Sequence, residues 1–491
     1  MPLIENIDVQ LPPPLRETPK QSGMFGSLPT PQKLEEKFNA LKTAAPGPET
    51  LSLRSLIAKD LEHMHGLYHP GLMELLPIIR AHADELSDAW LERSIDSCEV
   101  ALHGARSDSP LDAKLAGALL PIASYALDFI VILSKQKLRH YSDAPDGLHQ
   151  HFFHFSQSAS ACIACLGNTV DPQLHQRVQV STSIYILLAR MDFYCLTEAQ
   201  QNELFLALDS VAPKCSAYFV PSEVEVAMGD VFWLEWEYGN YRNRPLLRKP
   251  PPNVSKTDRV VVCIDALIRL LATSKDKHGG VSLQSGSKTW PAHVQKYVLE
   301  RLKTTKQKGE RATIREHMRV LQSWNDIVLL ENTRGDAATL LDVDSYGFRA
   351  IIEDHVDNAP NVGDMIVIDR MGQDSRRALV AWKRVGRMGA MFGCKFILES
   401  FTPARLGFLG HSEIAAGAQE WVTLLQKVDD KLYRCYFGDP QLQEGISVLL
   451  PVEGKSFTAM LDRVDYRGAN YCQGVLIVGK EWQDSNLELD V

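Results

Sequence analysis

The chain has 491 residues, 45% hydrophobic and 23% charged, with a formal net charge of −9 and a sequence pI of 5.9. These values are ordinary for a globular protein with real cores, and at ~150 residues per domain they suggest about three domains. The acidic balance argues against nonspecific binding to duplex DNA or to anionic membranes, so no nucleic-acid partner is expected.

The N-terminal stretch MPLIENIDVQLPPP has no basic region followed by an apolar core. It does not read as a secretory signal, and the expected location is cytoplasmic. Residues 1–48 include LPPPLRETPKQSGMFGSLPTP, a Pro/Ser/Gly-rich tail that can bury little and is expected to be largely disordered. Within it, PTPQKLEEKFNAL carries a short helical pattern. The tail reads as solvated, or as a segment that docks on a partner.

From 49 to 305 helical periodicity dominates, which predicts a helical domain. The pattern runs through ETLSLRSLIAKDLEHMHGLY, PGLMELLPIIRAHADELSDAWLERSIDSCEVAL and VSTSIYILLARMDFYCL. In TEAQQNELFLALDSV, Thr197 and Gln200 form a capping-box pattern. SKTDRVVVCIDALIRLLATSK reads as another amphipathic helix, and TWPAHVQKYVLERLKTT starts with Pro291 in the first turn. The most apolar run, 116–133, contains Pro121 and Asp128 and is short for a span of ~20 residues. It predicts a buried helix and no membrane span. GDVFWLEWEYGNYRNRP, ending in Arg242 and Arg244, predicts burial of Phe232, Trp233 and Trp236 between helices, or a partner-binding surface.

Histidines cluster at His63, His65 and His69, and again at His149, His151 and His154, with Cys162 and Cys165 following. Imidazole and thiolate together suit zinc, but a lone CxxC lacks the paired spacing of a zinc finger. Core contacts are the expected role and no metal is expected. The nine cysteines, odd in number and scattered through apolar runs, read as buried free thiols in a reducing compartment.

Near residue 320 the period changes to short β-branched runs bounded by turn residues, such as AATLLDVD, FRAIIED and DMIVIDR. Helices followed by strands imply separate domains. Residues 363–398 and 445–478 also resemble each other: Arg384-Val385 falls on Arg463-Val464, and Gly389-Ala390 on Gly468-Ala469. The predicted architecture is a multidomain α+β chain. A helical domain (49–305) precedes a β-barrel with a basic lead-in (306–402) and a second, related and degenerate β-barrel (403–491).

Two motifs stand in the first barrel. REHMR supplies Arg315 and Arg319, with Arg311 and Arg315 as an overlapping pair; DVDSYG supplies Asp342, Asp344 and Gly347. By itself DVDSYG is open to three readings: a turn, a metal site, or part of a nucleotide clamp. Two carboxylates are few ligands for a metal. Together the motifs resemble the PilZ domain, over roughly residues 310–400. The resemblance implies a six-stranded antiparallel barrel in a bacterial protein and cyclic di-GMP as ligand. It implies that Arg315 and Arg319, on a mobile lead-in, close over the ligand with Asp342, the residue at 344 and Gly347 as the other half of the site.

The residue types suit that ligand. An arginine fork pairs with phosphate oxygens or with guanine O6 and N7, a carboxylate accepts from the guanine N–H edge, and a glycine allows positive φ or close approach. Asp344 departs from the family's serine. It removes a donor and adds a negative charge near the phosphates, at about 1–3 kcal/mol for each effect. The second barrel carries neither motif and reads as a structural or dimerising copy, which leaves a homodimer open.

No nucleophile elbow, phosphate-binding loop, zinc-protease motif or dinucleotide fingerprint is present, nor are the motifs of cyclic di-GMP synthases or phosphodiesterases. The chain therefore reads as a receptor or adaptor and not an enzyme. It would couple cyclic di-GMP at the barrel to an unidentified protein partner of the helical domain, in motility, pilus or surface-polymer control. The alternative is a ligand-free PilZ-like interaction scaffold.

Overall fold

A computed structural model describes residues 30–43, 52, 56–57, 72–83, 86–104, 111–145, 147–222, 233–238, 257–272, 281–282, 289–290, 292–303, 312–330, 335–344, 346–370, 374–397, 400–409, 420–452, 455–468 and 470–481. His63, His65, His69, Phe232, Arg242, Arg244, Pro291, Arg311 and Ala469 lie outside the described residues. The chain divides into two compact units, Met1–Phe193 with Gln200–Gln307, and Tyr194–Ala199 with Lys308–Val491.

The first unit begins with α1 (Pro31–Thr43). The predicted short helix is therefore present inside the stretch expected to be largely disordered. Leu34, Phe38 and Leu41 are buried, and Phe38 stacks on His82 at 4.6 Å between ring centroids. Their i, i+4, i+7 spacing puts all three on one face, which is what lets so short a helix dock. The next helices are α2 (Leu72–Ala81), α3 (Asp88–Gly104), α4 (Ala113–Arg139), α5 (Leu148–Leu166), α6 (Pro172–Arg190) and α7 (Glu198–Val211).

The apolar run 116–133 lies in α4, which packs against α2, α3, α5 and α6. By length and composition α4 could cross a membrane, but most of its apolar stretch is buried inside the fold. Asp112 caps it by accepting from the Leu115 N–H at 2.7 Å. Asp128, buried in its middle, accepts from Arg80 Nε at 2.9 Å, Arg177 Nε at 2.7 Å and the Ser181 hydroxyl. A buried carboxylate on an apolar helix is thus matched by two guanidinium groups.

The unit is not wholly helical. β1 (Ser216–Val220), β2 (Trp233–Glu237) and β3 (Arg259–Cys263) form an antiparallel sheet in the order β1-β3-β2. This corrects the helical reading of residues 255–275. The run Val260–Val262 is β-branched and extended, and only α8 (Asp265–Ala272) is helical. Trp233 and Trp236 are buried as predicted, but from a strand; Trp236 packs on Phe152, Phe153 and Tyr185. The short strands β4 (Val281–Ser282) and β5 (Thr289–Trp290) pair with each other, and α9 (Ala292–Lys303) follows.

The second unit holds two closed six-stranded antiparallel barrels. The first comprises β6 (Ala312–Leu321), β7 (Asp336–Val343), β8 (Gly347–Ile352), β9 (Met365–Arg370), β10 (Arg376–Gly386) and β11 (Gly389–Phe396), with the short α10 (Trp324–Leu329) after β6. The second comprises β12 (Thr402–Leu409), β13 (Glu420–Lys427), β14 (Leu432–Phe437), β15 (Ser447–Val452), β16 (Lys455–Arg467) and β17 (Cys472–Glu481). Around the first the order is β6-β7-β8-β11-β10-β9; around the second it is β12-β13-β14-β17-β16-β15. Each strand of the first has its counterpart six strands later, so the two barrels share one topology.

Each barrel has its own interior. Met318, Leu340, Phe348, Ile366 and Phe392 are among the core residues of the first, and Leu406, Cys435, Leu450, Leu461 and Leu476 of the second. A third cluster joins the two: Leu321, Ile327, Val328, Met365 and Val367 pack with Leu424, Tyr436 and Tyr471. The repeat seen in sequence corresponds to β9-β10-β11 and β15-β16-β17. The Gly-Ala match does not hold in detail, because Gly389 opens strand β11 whereas Gly468 lies in the turn before β17.

Candidate binding face of the first barrel

The predicted lead-in arginines are on β6 itself. Met318 and Val320 fill the core, and Arg319 alternates to the outside, where it pairs with Asp369 on β9 at 2.5 Å. Neither Arg315 nor Arg319 is on a connector, because residues 312–321 complete the hydrogen-bonded ring of the barrel.

A bulge in β7 decides where Asp342 goes. Leu340 sits opposite Ala350 in the core, the register then skips a residue, and Asp342 sits opposite Arg349. One extra residue reverses the side-chain phase of a strand. It carries Asp342 out of the apolar interior and onto Arg349, with Oδ2 2.6 Å from Nη2. The Asp342 side chain is 5% exposed and that of Arg349 38%. On the neighbouring strand the register skips between Thr313, opposite Asp342, and Glu316, opposite Leu340. Arg315 lies in that skipped stretch, exposed, and takes no partner among the described residues. Further round, Arg349 is opposite Gly393, and Gly393 is opposite Trp382. A Cβ at Gly393 would strike the Trp382 indole, so the ring lies directly on that glycine.

Asp344 is a turn residue. Its Oδ1 accepts from the Tyr346 N–H at 2.7 Å and the Gly347 N–H at 2.8 Å, and its own N–H donates to the Gly347 carbonyl at 2.9 Å. A serine hydroxyl can accept in the same way, so this turn has no strict need of a carboxylate. Gly347 is not in the left-handed region. A side chain there would collide with the Cys394 carbonyl, so the close approach it permits is strand to strand and not strand to ligand. Tyr346, at the tip of the same turn, is 72% exposed.

Of the five predicted residues, Arg315 and Asp342 lie on adjacent strands, Arg315 within two residues of Thr313, the strand partner of Asp342. Asp344 and Gly347 form the adjoining turn, and Arg319 is held apart by Asp369. Arg349 was missed by the motif reading. Its signal is alternation: two residues beyond Gly347, it shares that residue's outward face. At the rim Glu316 pairs with Arg370 at 2.6 Å, and that contact holds the Glu316 carboxyl below its ordinary value.

In the first unit, Asp96, Glu99 and His151 each bring a ligand atom within 4.8 Å of the others, the single such group among the described residues. His151 Nδ1 lies 2.7 Å from Glu99 Oε2 and Nε2 lies 3.8 Å from Asp96 Oδ1, so the imidazole sits between the two carboxylates. Cys162 and Cys165 do not join: burial pushes the Cys162 thiol up to about 12, and Cys165 donates to the Leu111 carbonyl at 3.3 Å. The chain matches no protein-family model, no curated protein and no solved structure.

Proposed function

We propose that the face around Arg315, Asp342 and Arg349 receives cyclic di-GMP, and that the chain is a non-enzymatic receptor whose helical unit engages a protein partner. The observation that carries this reading is an exposed Arg315, without a partner among the described residues, on the strand beside the outward-turned Asp342–Arg349 pair. Arg315 offers a phosphate contact with no ion pair to break among the described residues. Arg349 and Asp342 place a donor fork and an acceptor side by side, which suits the O6/N7 and N1–H/N2–H edges of a guanine. Arg319 has no part in this version of the site, because it pairs with Asp369 on β9, on the side of β6 away from β7 and the Asp342–Arg349 pair.

Calorimetric titration of cyclic di-GMP into the full chain tests the reading. Arg315→Ala is expected to weaken binding about tenfold to a hundredfold, the worth of a charged hydrogen bond of about 1.5–3 kcal/mol. Arg319→Ala is expected to leave binding within about threefold, well under one such hydrogen bond. Absence of heat at high micromolar ligand from the folded protein defeats the receptor reading. The ligand-free interaction scaffold then leads. Its supporting observation is that Asp342, Asp344 and Arg319 all have structural partners within the barrel.

A further inference from the structure

The two barrels match closely enough to be compared position by position. Gly363 and Gly445, just ahead of β9 and β15, both sit at positive φ, 88° and 86°. The Gly363 N–H donates to the Val380 carbonyl and the Gly445 N–H to the Leu461 carbonyl; Val380 and Leu461 donate back to the carbonyls of Asp364 and Ile446. Counted from these pairs, Met365, Val367 and Leu379 of the first barrel correspond to Ser447, Leu449 and Met460 of the second. Strand pairing adds Lys395 and Ile477, since Leu379 lies opposite Met365 and Lys395, and Met460 opposite Ser447 and Ile477.

In the first barrel this outer face is covered. Met365 and Val367 are fully buried and Leu379 partly, in the cluster that includes Leu424, Tyr436 and Tyr471 of the second barrel. In the second barrel the same face is open: Met460 is 44% exposed and Ile477 36%. Leu449, on β15, is half-buried beside them. Leu432, also half-buried, lies opposite Ile477 on β14, and Val428, in the turn before β14, is exposed. These side chains form an apolar strip across β14, β17, β16 and β15. Tyr436 is four residues beyond Leu432 on β14 and shares its outward side, so the strip continues the surface by which the barrels already join.

Single apolar residues on a surface are ordinary, whereas a contiguous strip marks an interaction site. Both ladders are closed, so no strand edge is free to be extended and a partner must meet the strip face-on. The charged side chains along it are of both signs and pair within the barrel: Lys427 with Asp430, Lys455 with Glu481 and Arg463 with Asp465. Such a rim selects no strongly charged partner and suits a surface of its own kind. A head-to-tail repeat of the existing barrel contact is disfavoured. The first-barrel counterparts of Leu424 and Tyr436 are Thr339 and Ile351, one polar and the other already buried. We infer that the strip meets the same strip of a second copy of this chain, forming a two-fold homodimer with Met460 and Ile477, at its middle, close to the axis. The surface is on the second barrel and does not depend on the cyclic di-GMP reading.

The test is sedimentation velocity of the full chain from low to high micromolar concentration. The wild type is expected to sediment as a dimer of the 54.9 kDa chain. Met460→Glu and Met460→Lys each set like charges against each other across the axis and are expected to weaken the dimer about a hundredfold or more. Mixed one to one, these two variants are expected to recover it, because opposite charges then meet; recovery also shows that both chains are folded. Ile477→Glu is expected to weaken the dimer as well. Met388→Glu, at a methionine of the first barrel that is 75% exposed, is expected to dimerise as wild type does. A wild type that stays monomeric throughout overturns the proposal. So do Met460→Glu and Ile477→Glu variants that both stay dimeric, or a Glu and Lys mixture that stays monomeric while each variant keeps the wild-type circular dichroism spectrum.

Discussion

Asp364, just ahead of β9, is buried and accepts from the Asn361 N–H at 2.7 Å. Burial pushes its carboxyl up to about 6, against the pull of that hydrogen bond and of the Lys383 ammonium. Lys383 lies opposite the core residue Phe392 and donates to the Ala359 carbonyl at 2.9 Å; burial draws its own pKa down. A carboxyl whose pKa is raised on folding stabilises the native state fully below its unfolded value near 3.8, and that contribution is lost as the pH rises through about 6. Asp364→Asn removes the titration and keeps an acceptor for Asn361. The stability difference between wild type and variant is therefore expected to move by about 2.4 kcal/mol between pH 4 and pH 7, in favour of the variant at pH 7. Urea melts of both proteins at each pH check this, and a constant difference counts against it. The sequence marks neither residue, because the effect comes from how deeply each is buried.

At the scale of elements, the barrels are tied by a side chain that acts as a piece of strand. Asn470, in the turn between β16 and β17, accepts from the Met365 N–H and donates to the Met365 carbonyl, both at 2.9 Å. Trp324 adds a second tie, donating to the Val422 carbonyl at 2.7 Å from a position against Gly438. Asn470→Ala leaves both backbone groups of Met365 without a partner, at an expected loss of about 1–3 kcal/mol. Hydrogen exchange at the Met365 amide is expected to speed up about tenfold or more, since 1.4 kcal/mol is a factor of ten. Unchanged exchange there would mean that the bridge contributes nothing in solution. Among the elements, those with a pure local pattern are legible in advance: α4 from its apolar run, β9 and β10 from β-branched alternation between turns. β3 is not, because a run such as Val260–Val262 before an amphipathic segment carries no clear period. Arg315 and Arg319 are read on a connector for a similar reason. Their i, i+4 spacing and basic neighbours suit a solvated helix, and only the β7 and β9 partners make the segment a strand.

At the scale of the whole molecule, the second unit has what independent folding requires. Both ladders close on themselves, each barrel has its own apolar interior, and the cluster around Met365, Tyr436 and Tyr471 joins them. A fragment spanning Lys308–Val491 is expected to fold and to unfold in one cooperative transition, because losing either barrel exposes the shared cluster. Two separated transitions, or a fragment that stays unfolded, would show that the shared cluster or the Tyr194–Ala199 segment matters differently.

Composition, period and turn residues are properties of neighbouring positions, and they are enough to place helices before strands, to bury the 116–133 run, and to match the last three strands of one barrel to those of the other. The rest depends on residues far apart in the chain. The common ring order needs all six strands of each barrel paired. The outward turn of Asp342 needs a one-residue slip against β8. The bond between Arg319 and Asp369 joins positions fifty residues apart. Hydrogen-bond register and the pairing of buried charge are set by which distant groups meet. No local pattern encodes that, which is why the motif residues could be named from the chain and their partners only from the fold.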